Sequence, residues 1–430
     1  MYQAFGFREN PFNVMHLRPT KEDAGRFVGR TNDIRSFHVD ISSNDRSLVI
    51  VTGHKGVGKT SFVSIMQYFA SPLEDGHLDD VITERRLVPC YHKVQIDQNE
   101  SVSNLLFKCL SSLLFSIREF QSLRQLMFPS SLDSLLNWVS NVVPQSAASG
   151  GISIAGFGGS MGTTTTYRNV RDIPPTAICE QIKIIIKAVQ DFGCKGLFLN
   201  LDNLEIVEES EMASLMNELR DYLFDIRGLW VVLIGYPGMY SVLTAQATRV
   251  SEFVSGQETN LPALSENECI EVLTIRSKIF AVNPQHPPSL PLEEQFIRKI
   301  YQNTDGEIRS VLKACDDITR AIFKENPTIK SISDEIGLPV LKSILKQQIG
   351  LQYLKPKERE ILHKIVQAGS IRPKDFAELS LKSAVDFTNR ARPLLERNLV
   401  RKEIEGIAAK YEPSGLVRLA IYAGLNLLTD

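Results

Sequence analysis

Eight consecutive residues, Gly53-His54-Lys55-Gly56-Val57-Gly58-Lys59-Thr60, have the spacing G-x-x-x-x-G-K-[ST]. Their types suit the binding of a phosphate chain. Gly56 and Gly58 let backbone N–H groups close on phosphate oxygens where a Cβ would intrude. Lys59 offers an ammonium to the β- and γ-phosphates, and Thr60, followed by Ser61, offers a hydroxyl to Mg²⁺. Such a loop works only between a buried strand and a helix start. The apolar, β-branched run Leu48 to Thr52 precedes it and the apolar tract Phe62 to Ala70 follows, so the helix would direct its positive end at the same anions. The spacing predicts a nucleoside triphosphate site with Mg²⁺.

A second candidate group lies far along the chain. Gly196-Leu197-Phe198-Leu199-Asn200-Leu201 reads as a buried strand ending in Asp202, followed by Asn203, Leu204 and Glu205. A carboxylate at the carboxyl end of such a strand can hold Mg²⁺ through water. The plainer alternative is a strand-terminal Asp that caps the next turn.

The elements that must position these groups can be read from the pattern. Strands are predicted near 48–52, 88–96, 196–201 and 229–234, separated by helices, and this alternation implies an α/β core with a parallel sheet covered on both faces. After Pro262 the strand signal fades, and Ser265-Glu266-Asn267-Glu268 is a capping box that opens a helical region. Between residues 144 and 168 Gly, Ser, Thr and Ala dominate, a composition that buries little apolar area. Ile152, Ile154 and Phe157 hint at a short hairpin there. A chain of 430 residues suggests two or three domains. The expected division is a nucleotide-binding core over 1–260 with an insertion at 144–168, a helical lid over 261–349 and a C-terminal domain over 350–430.

Composition narrows the function classes. The net charge of −2 gives no global attraction to nucleic acid or to an anionic membrane, so any DNA contact needs a local patch. The six cysteines include no C-x-x-C pair, which argues for reduced core thiols in a cytoplasmic protein rather than a disulfide frame or a zinc site. No secretion signal and no uncharged apolar stretch of membrane-spanning length are evident, so no membrane partner is expected.

With these motifs in order, the chain resembles the AAA+ P-loop ATPases, specifically the branch of the origin-recognition and cell-division-control replication initiators, and is also similar to the STAND signalling ATPases. Phe27-Val28-Gly29-Arg30 resembles the F-x-G-R entry motif that lies over the adenine. Gly53 to Thr60 matches Walker A and Asp202 the Walker B aspartate. Gly306-Glu307-Ile308-Arg309 resembles sensor 2, which implies that Arg309 reaches the γ-phosphate. Thr248-Arg249-Val250-Ser251 falls where the initiator branch carries an R-V-x-S stretch, which implies an arginine finger for a neighbouring subunit. Two departures stand out. The residue after Asp202 is Asn203, where an active site of this family has Glu, and Asn cannot act as a general base. Glu205 substitutes only if the loop turns suitably. The strand 229–234 ends in Gly235-Tyr236, where a polar sensor-1 residue is usual. Both departures predict tight binding and slow ATP hydrolysis, which suits a switch better than a motor.

From Lys355 the pattern is three helices and two short strands, near 358–368, 373–379 and 384–396, then 398–400 and 410–412, with a wing tip at Glu405-Gly406. This resembles a winged-helix domain, whose third helix reads duplex DNA. Residues 350–430 hold 14 Lys or Arg against 10 Asp or Glu. Arg390, Arg392, Arg397, Arg401 and Lys402 on or after the third helix are the candidate DNA contacts, and Pro393 interrupts that helix's donors. The expected function is a nucleotide-dependent DNA-binding switch that assembles as a homo- or hetero-oligomer with ATP, of initiator, loader or genome-defence type. A STAND-like signalling or scaffolding ATPase, whose winged helix contacts protein, is one alternative. A protein that uses ATP structurally is another.

Overall fold

The computed structural model describes all residues except 43–44, 74–85, 128, 146–151, 155–164, 168–169, 171–172, 305, 406–407 and 428–430. The chain divides into two compact units. A sheet unit holds His16–Gly53 and Lys59–Leu261, and a helical unit holds Met1–Met15, His54–Gly58 and Pro262–Asp430.

The sheet unit runs α1 (Lys21–Ala24), α2 (Thr31–Ser42), β1 (Ser47–Thr52), α3 (Lys59–Phe69), β2 (Leu87–Pro89), β3 (Val94–Gln95), α4 (Val102–Leu123), α5 (Ser130–Gln145), β4 (Ile152–Ile154), β5 (Thr165–Tyr167), α6 (Pro175–Asp191), β6 (Gly196–Asp202), α7 (Glu209–Leu219), β7 (Leu229–Ile234), α8 (Met239–Gln246), α9 (Thr248–Ser251) and β8 (Thr259–Asn260). The main sheet has the order β2-β6-β7-β1-β8, with β3 also on β6, and every pairing is parallel. Strands β1, β6 and β7 are buried on both faces, which is why they read as unbroken apolar runs rather than alternating ones. On one face Leu48, Ile50, Leu197, Leu199, Val231 and Leu233 share a core with α4, α6 and α7. On the other, Phe198 stacks on Phe37 of α2 at 6.0 Å, and Phe37 meets Phe62 of α3 edge-on at 5.6 Å. The Trp230 indole N–H donates to the Ile41 carbonyl at 2.9 Å, so this large ring is buried with its polar atom satisfied. In the 144–168 segment β4 and β5 pair antiparallel, Ile152 opposite Tyr167. Phe157 lies outside the described residues.

The helical unit contains α10 (Glu266–Phe280), α11 (Glu294–Gln302), α12 (Ile308–Glu325), α13 (Asp334–Ile349), α14 (Pro356–Ala368), α15 (Ala384–Glu396), β9 (Val400–Glu405), β10 (Ala408–Pro413) and α16 (Gly415–Tyr422). The capping box is formed: Ser265 accepts from the Glu268 N–H while Glu268 accepts from the Ser265 N–H. The short second helix expected at 373–379 is a 3-10 segment, Pro373–Leu379, in which Asp375 leaves helical geometry. Helix, 3-10 segment, helix and antiparallel hairpin follow the winged-helix order, and Ile371 bridges Tyr411 as a third short strand. Helix α15 continues through Pro393 to Glu396. Gly406 at the expected wing tip lies outside the described residues.

The first fifteen residues differ from the expected division, in which they belong to the nucleotide-binding core. Tyr2, Phe5, Phe7 and Phe12 enter the hydrophobic core of the helical unit. Phe7 bridges Ala281, and the buried Arg276 donates to the carbonyls of Pro11 at 3.3 Å and Asn13 at 2.6 Å. Four aromatic side chains have more apolar surface to bury than a surface extension would allow. Among the described residues no helix is long and apolar enough to cross a membrane.

Candidate nucleotide site

Strand β1 delivers the chain to the phosphate-binding loop, and α3 takes it away beginning at Lys59. Gly56 and Gly58 have φ of 88° and 98°, a left-handed backbone that side chains resist. Among the described residues no heavy atom lies within 4 Å of where a Cβ on Gly58 would stand, so conformation and not crowding selects glycine there. Lys59 is buried, and its ammonium donates to the Gly53 carbonyl at 2.8 Å and stands 3.9 Å from Glu205 Oε1. An ammonium this sheltered needs such partners.

Asp202 closes β6 on the same site. Its Oδ2 accepts the Thr60 hydroxyl at 2.8 Å, and its Oδ1 accepts the N–H of Asn203 at 2.9 Å. The Thr60 hydroxyl and the Asp202 carboxylate are hard oxygen donors of the type Mg²⁺ selects. They fit the Mg²⁺ that ATP would carry. Asn203 adopts φ 72°, which Asn tolerates better than most side chains. That turn leads into a 3-10 segment, Leu204–Ile206, and brings the Glu205 carboxylate toward Lys59.

The residue just before β8 is a polar group that the sequence did not single out. Glu258 accepts from the Thr52 hydroxyl and from the backbone N–H groups of Gly238 and Tyr240, each at 3.0 Å. It ties the end of β1 to the start of α8. Tyr236, two residues beyond β7, has its hydroxyl buried and without a hydrogen-bond partner among the described residues. Burial pushes its pKa up to about 12, so it is neutral at physiological pH. Lys93, on the approach to β3, also went unnoticed in the sequence. Its ammonium is 3.9 Å from Asp202 Oδ2.

The other sequence-predicted residues fall as follows. Phe27 packs against Phe62 at 6.2 Å, Val28 is buried, and Arg30 stands 3.7 Å from Asp33. The entry motif therefore sits beside the first turn of α3. In the helical unit, the N–H of Arg309 faces the Gly56 carbonyl at 3.4 Å, and both residues line a cavity of about 240 Å³ with Lys55, Glu307 and Lys313. Arg249 is exposed on α9, with no hydrogen bond or ion pair from its side chain among the described residues.

The five C-terminal cations are not equivalent. Arg397 donates to the carbonyls of Ile349 and Gly350, both at 3.2 Å, at the end of α13. Arg401 pairs with Glu412 at 2.8 Å, and Arg390 with Asp386 at 2.8 Å. Arg392 and Lys402 are exposed. Arg392 shares an outward stripe of α15 with Val385 and Asn389, at helical spacing.

No family model and no curated protein matches the chain. Among solved structures, the ADP form of the Aeropyrum pernix ORC2 protein is similar at TM-score 0.51 and 12% identity, covering 98% of this chain and 98% of that one. The ORC1 protein of the same organism, in complex with DNA, aligns over 97% of each chain at TM-score 0.48 and 10% identity. Thermotoga maritima RuvB aligns over 90% of this chain and 93% of its own at TM-score 0.39 and 12% identity. Over nearly its whole length the chain is similar in fold to the Aeropyrum pernix ORC2 protein.

Proposed function

We propose that the protein is an ATP-binding AAA+ switch that couples nucleotide state to DNA binding and self-assembly and hydrolyses ATP slowly. The convergence of Lys59, Thr60, Asp202 and Glu205 supports this reading. Lys59 and the start of α3 bind the phosphates. Thr60 and Asp202 would hold Mg²⁺, which neutralises phosphate charge when bound. Asn203 cannot take a proton, and Glu205 is the carboxylate in reach of the same lysine, so Glu205 serves as the base that activates water. Its engagement with Lys59 keeps turnover slow. Arg309 senses the nucleotide, and Arg249 completes a neighbour's site. Six buried free thiols suit the reducing cytoplasm. One neighbour of similar fold is the ADP form of an ORC2 protein, which agrees with nucleotide binding by this chain.

Duplex DNA is the proposed macromolecular partner, bound through Arg392, Lys402 and the outward face of α15. One observation favours a second reading. Arg390, Arg397 and Arg401 already have intramolecular partners, which suits a winged helix that contacts protein in a STAND-like switch. Calorimetric titration of wild-type and Lys59→Ala protein with ATP tests the shared core of both readings. Wild type should bind and the variant should lose affinity at least ~tenfold, the expected loss of a charge-assisted contact. Equal affinity would remove the nucleotide assignment. Duplex binding that falls with salt separates the two partners.

A further inference from the structure

We propose that Lys93 is a built-in counter-cation for Asp202, one that lets the site hold a nucleoside triphosphate without Mg²⁺ and that competes with Mg²⁺ for the carboxylate. The inference rests on the nucleotide reading above. Its first support is placement. The residue after Lys93 begins β3, whose pairing with β6 sets Val94 opposite Leu201 and Gln95 opposite Asp202. The Ile96 N–H donates to the Asp202 carbonyl at 3.0 Å, so the backbone that carries Lys93 is fixed by the sheet at the level of the carboxylate.

The second support is the atom that Lys93 faces. Its Nζ is 3.9 Å from Oδ2, the same oxygen that accepts the Thr60 hydroxyl at 2.8 Å. The ammonium therefore lies at the oxygen that would share Mg²⁺ with Thr60. The third support is charge. The Asp202 side chain is 7% exposed, and a carboxylate so sheltered is costly without a cation. Lys59 is already engaged by Gly53 and Glu205. Among the described residues Lys93 is the ion-pair partner that Asp202 has.

Two cations compete for one carboxylate oxygen. Lys93 is 31% exposed on a flexible four-carbon stem, so it can leave Asp202 for solvent when Mg²⁺ arrives. An ammonium also binds phosphate oxygens as a point charge, which gives the metal-free site a cation to offer the nucleotide. Lysine thus supplies part of what Mg²⁺ supplies elsewhere. Nucleotide affinity should accordingly depend weakly on the metal, and the metal should bind less tightly than it would beside an unpaired aspartate.

A fluorescent ATP analogue titrated into the full-length protein, in EDTA and in Mg²⁺, tests this with wild type, Lys93→Gln and Lys93→Arg. Wild type should bind in EDTA within ~tenfold of its affinity in Mg²⁺, and Lys93→Gln should lose at least a further ~tenfold in EDTA alone, the size of one charge-assisted contact. The same variant should need less Mg²⁺ for half-saturation, and Lys93→Arg should restore binding in EDTA. A ratio of EDTA to Mg²⁺ affinities unchanged in Lys93→Gln would overturn the assignment, as would wild-type binding that requires Mg²⁺. Failure of the wild type to bind in either buffer would overturn the nucleotide reading together with this one.

Discussion

Replacing Asn203 with glutamate distinguishes a site that lost its base from one that moved it. Motif logic alone says that Asn203→Glu restores the glutamate usual after a Walker B aspartate and raises turnover. The backbone argues otherwise. Asn203 sits at φ 72°, where a side chain lacking the local hydrogen bonding of Asn costs about 1–2 kcal/mol. Part of that cost already falls on Asn, so the substitution should destabilise the protein by ~1 kcal/mol. In a unit of this size that lowers the melting temperature by roughly 2–4 °C. Relief of the strain by a shift to negative φ would unwind the turn into Leu204–Ile206 and withdraw Glu205 from its position 3.9 Å from Lys59. The variant should therefore melt lower and turn over no faster than wild type. Asn203→Gly should melt at or above wild type, since glycine accepts the turn without penalty. Differential scanning calorimetry and phosphate release on the same preparations measure both quantities. An Asn203→Glu protein of unchanged stability whose turnover rises tenfold or more would refute the argument and return the base to position 203.

Glu205→Gln should reduce residual turnover by ~10²–10⁴-fold, the usual share of a general base, with little change in ATP affinity; unaltered phosphate release would exclude it as base. Arg249→Ala should abolish ATP-dependent oligomers seen by light scattering while leaving ATP binding intact, because the residue is exposed on α9; a wild-type monomer in every nucleotide state, with turnover unmoved in the variant, would end the finger assignment. Arg392→Glu should weaken duplex binding and lower the log–log salt slope by about 0.9 for each phosphate that the protein no longer neutralises. Arg397→Ala should instead cost ~1–3 kcal/mol of stability, because two carbonyls at the end of α13 lose their donor. Equal effects of these two changes on DNA binding would show that the internal hydrogen bonds of Arg397 do not set it apart.

The phosphate-binding loop was legible because its chemistry is local. Gly56, Gly58, Lys59 and Thr60 act within one turn of chain, and the flanking strand and helix declare themselves by unbroken apolar runs. The parallel sheet was legible for the same reason: β1, β6 and β7 are buried on both faces, so burial is written into every residue. Asp202 was found by its place at a strand end, although its partner Thr60 is 142 residues away. Other features depend on pairings and torsions that no short pattern encodes. Lys93 meets Asp202 only because β3 adds to β6 in one register. Glu258 reaches Thr52 and the start of α8 only once β8 lies beside β1. The positive φ of Asn203 decides whether Glu205 faces the lysine, and composition carries no record of a dihedral angle. Charge counting grouped Arg392 with Arg397 and Arg401, yet tertiary structure leaves the first exposed and ties the other two to Ile349, Gly350 and Glu412. Local pattern thus specified the glycine loop and the strand and helix that flank it, while long-range geometry decided which carboxylate and which cations stand beside it, because distances between groups far apart in sequence exist only after the chain has folded.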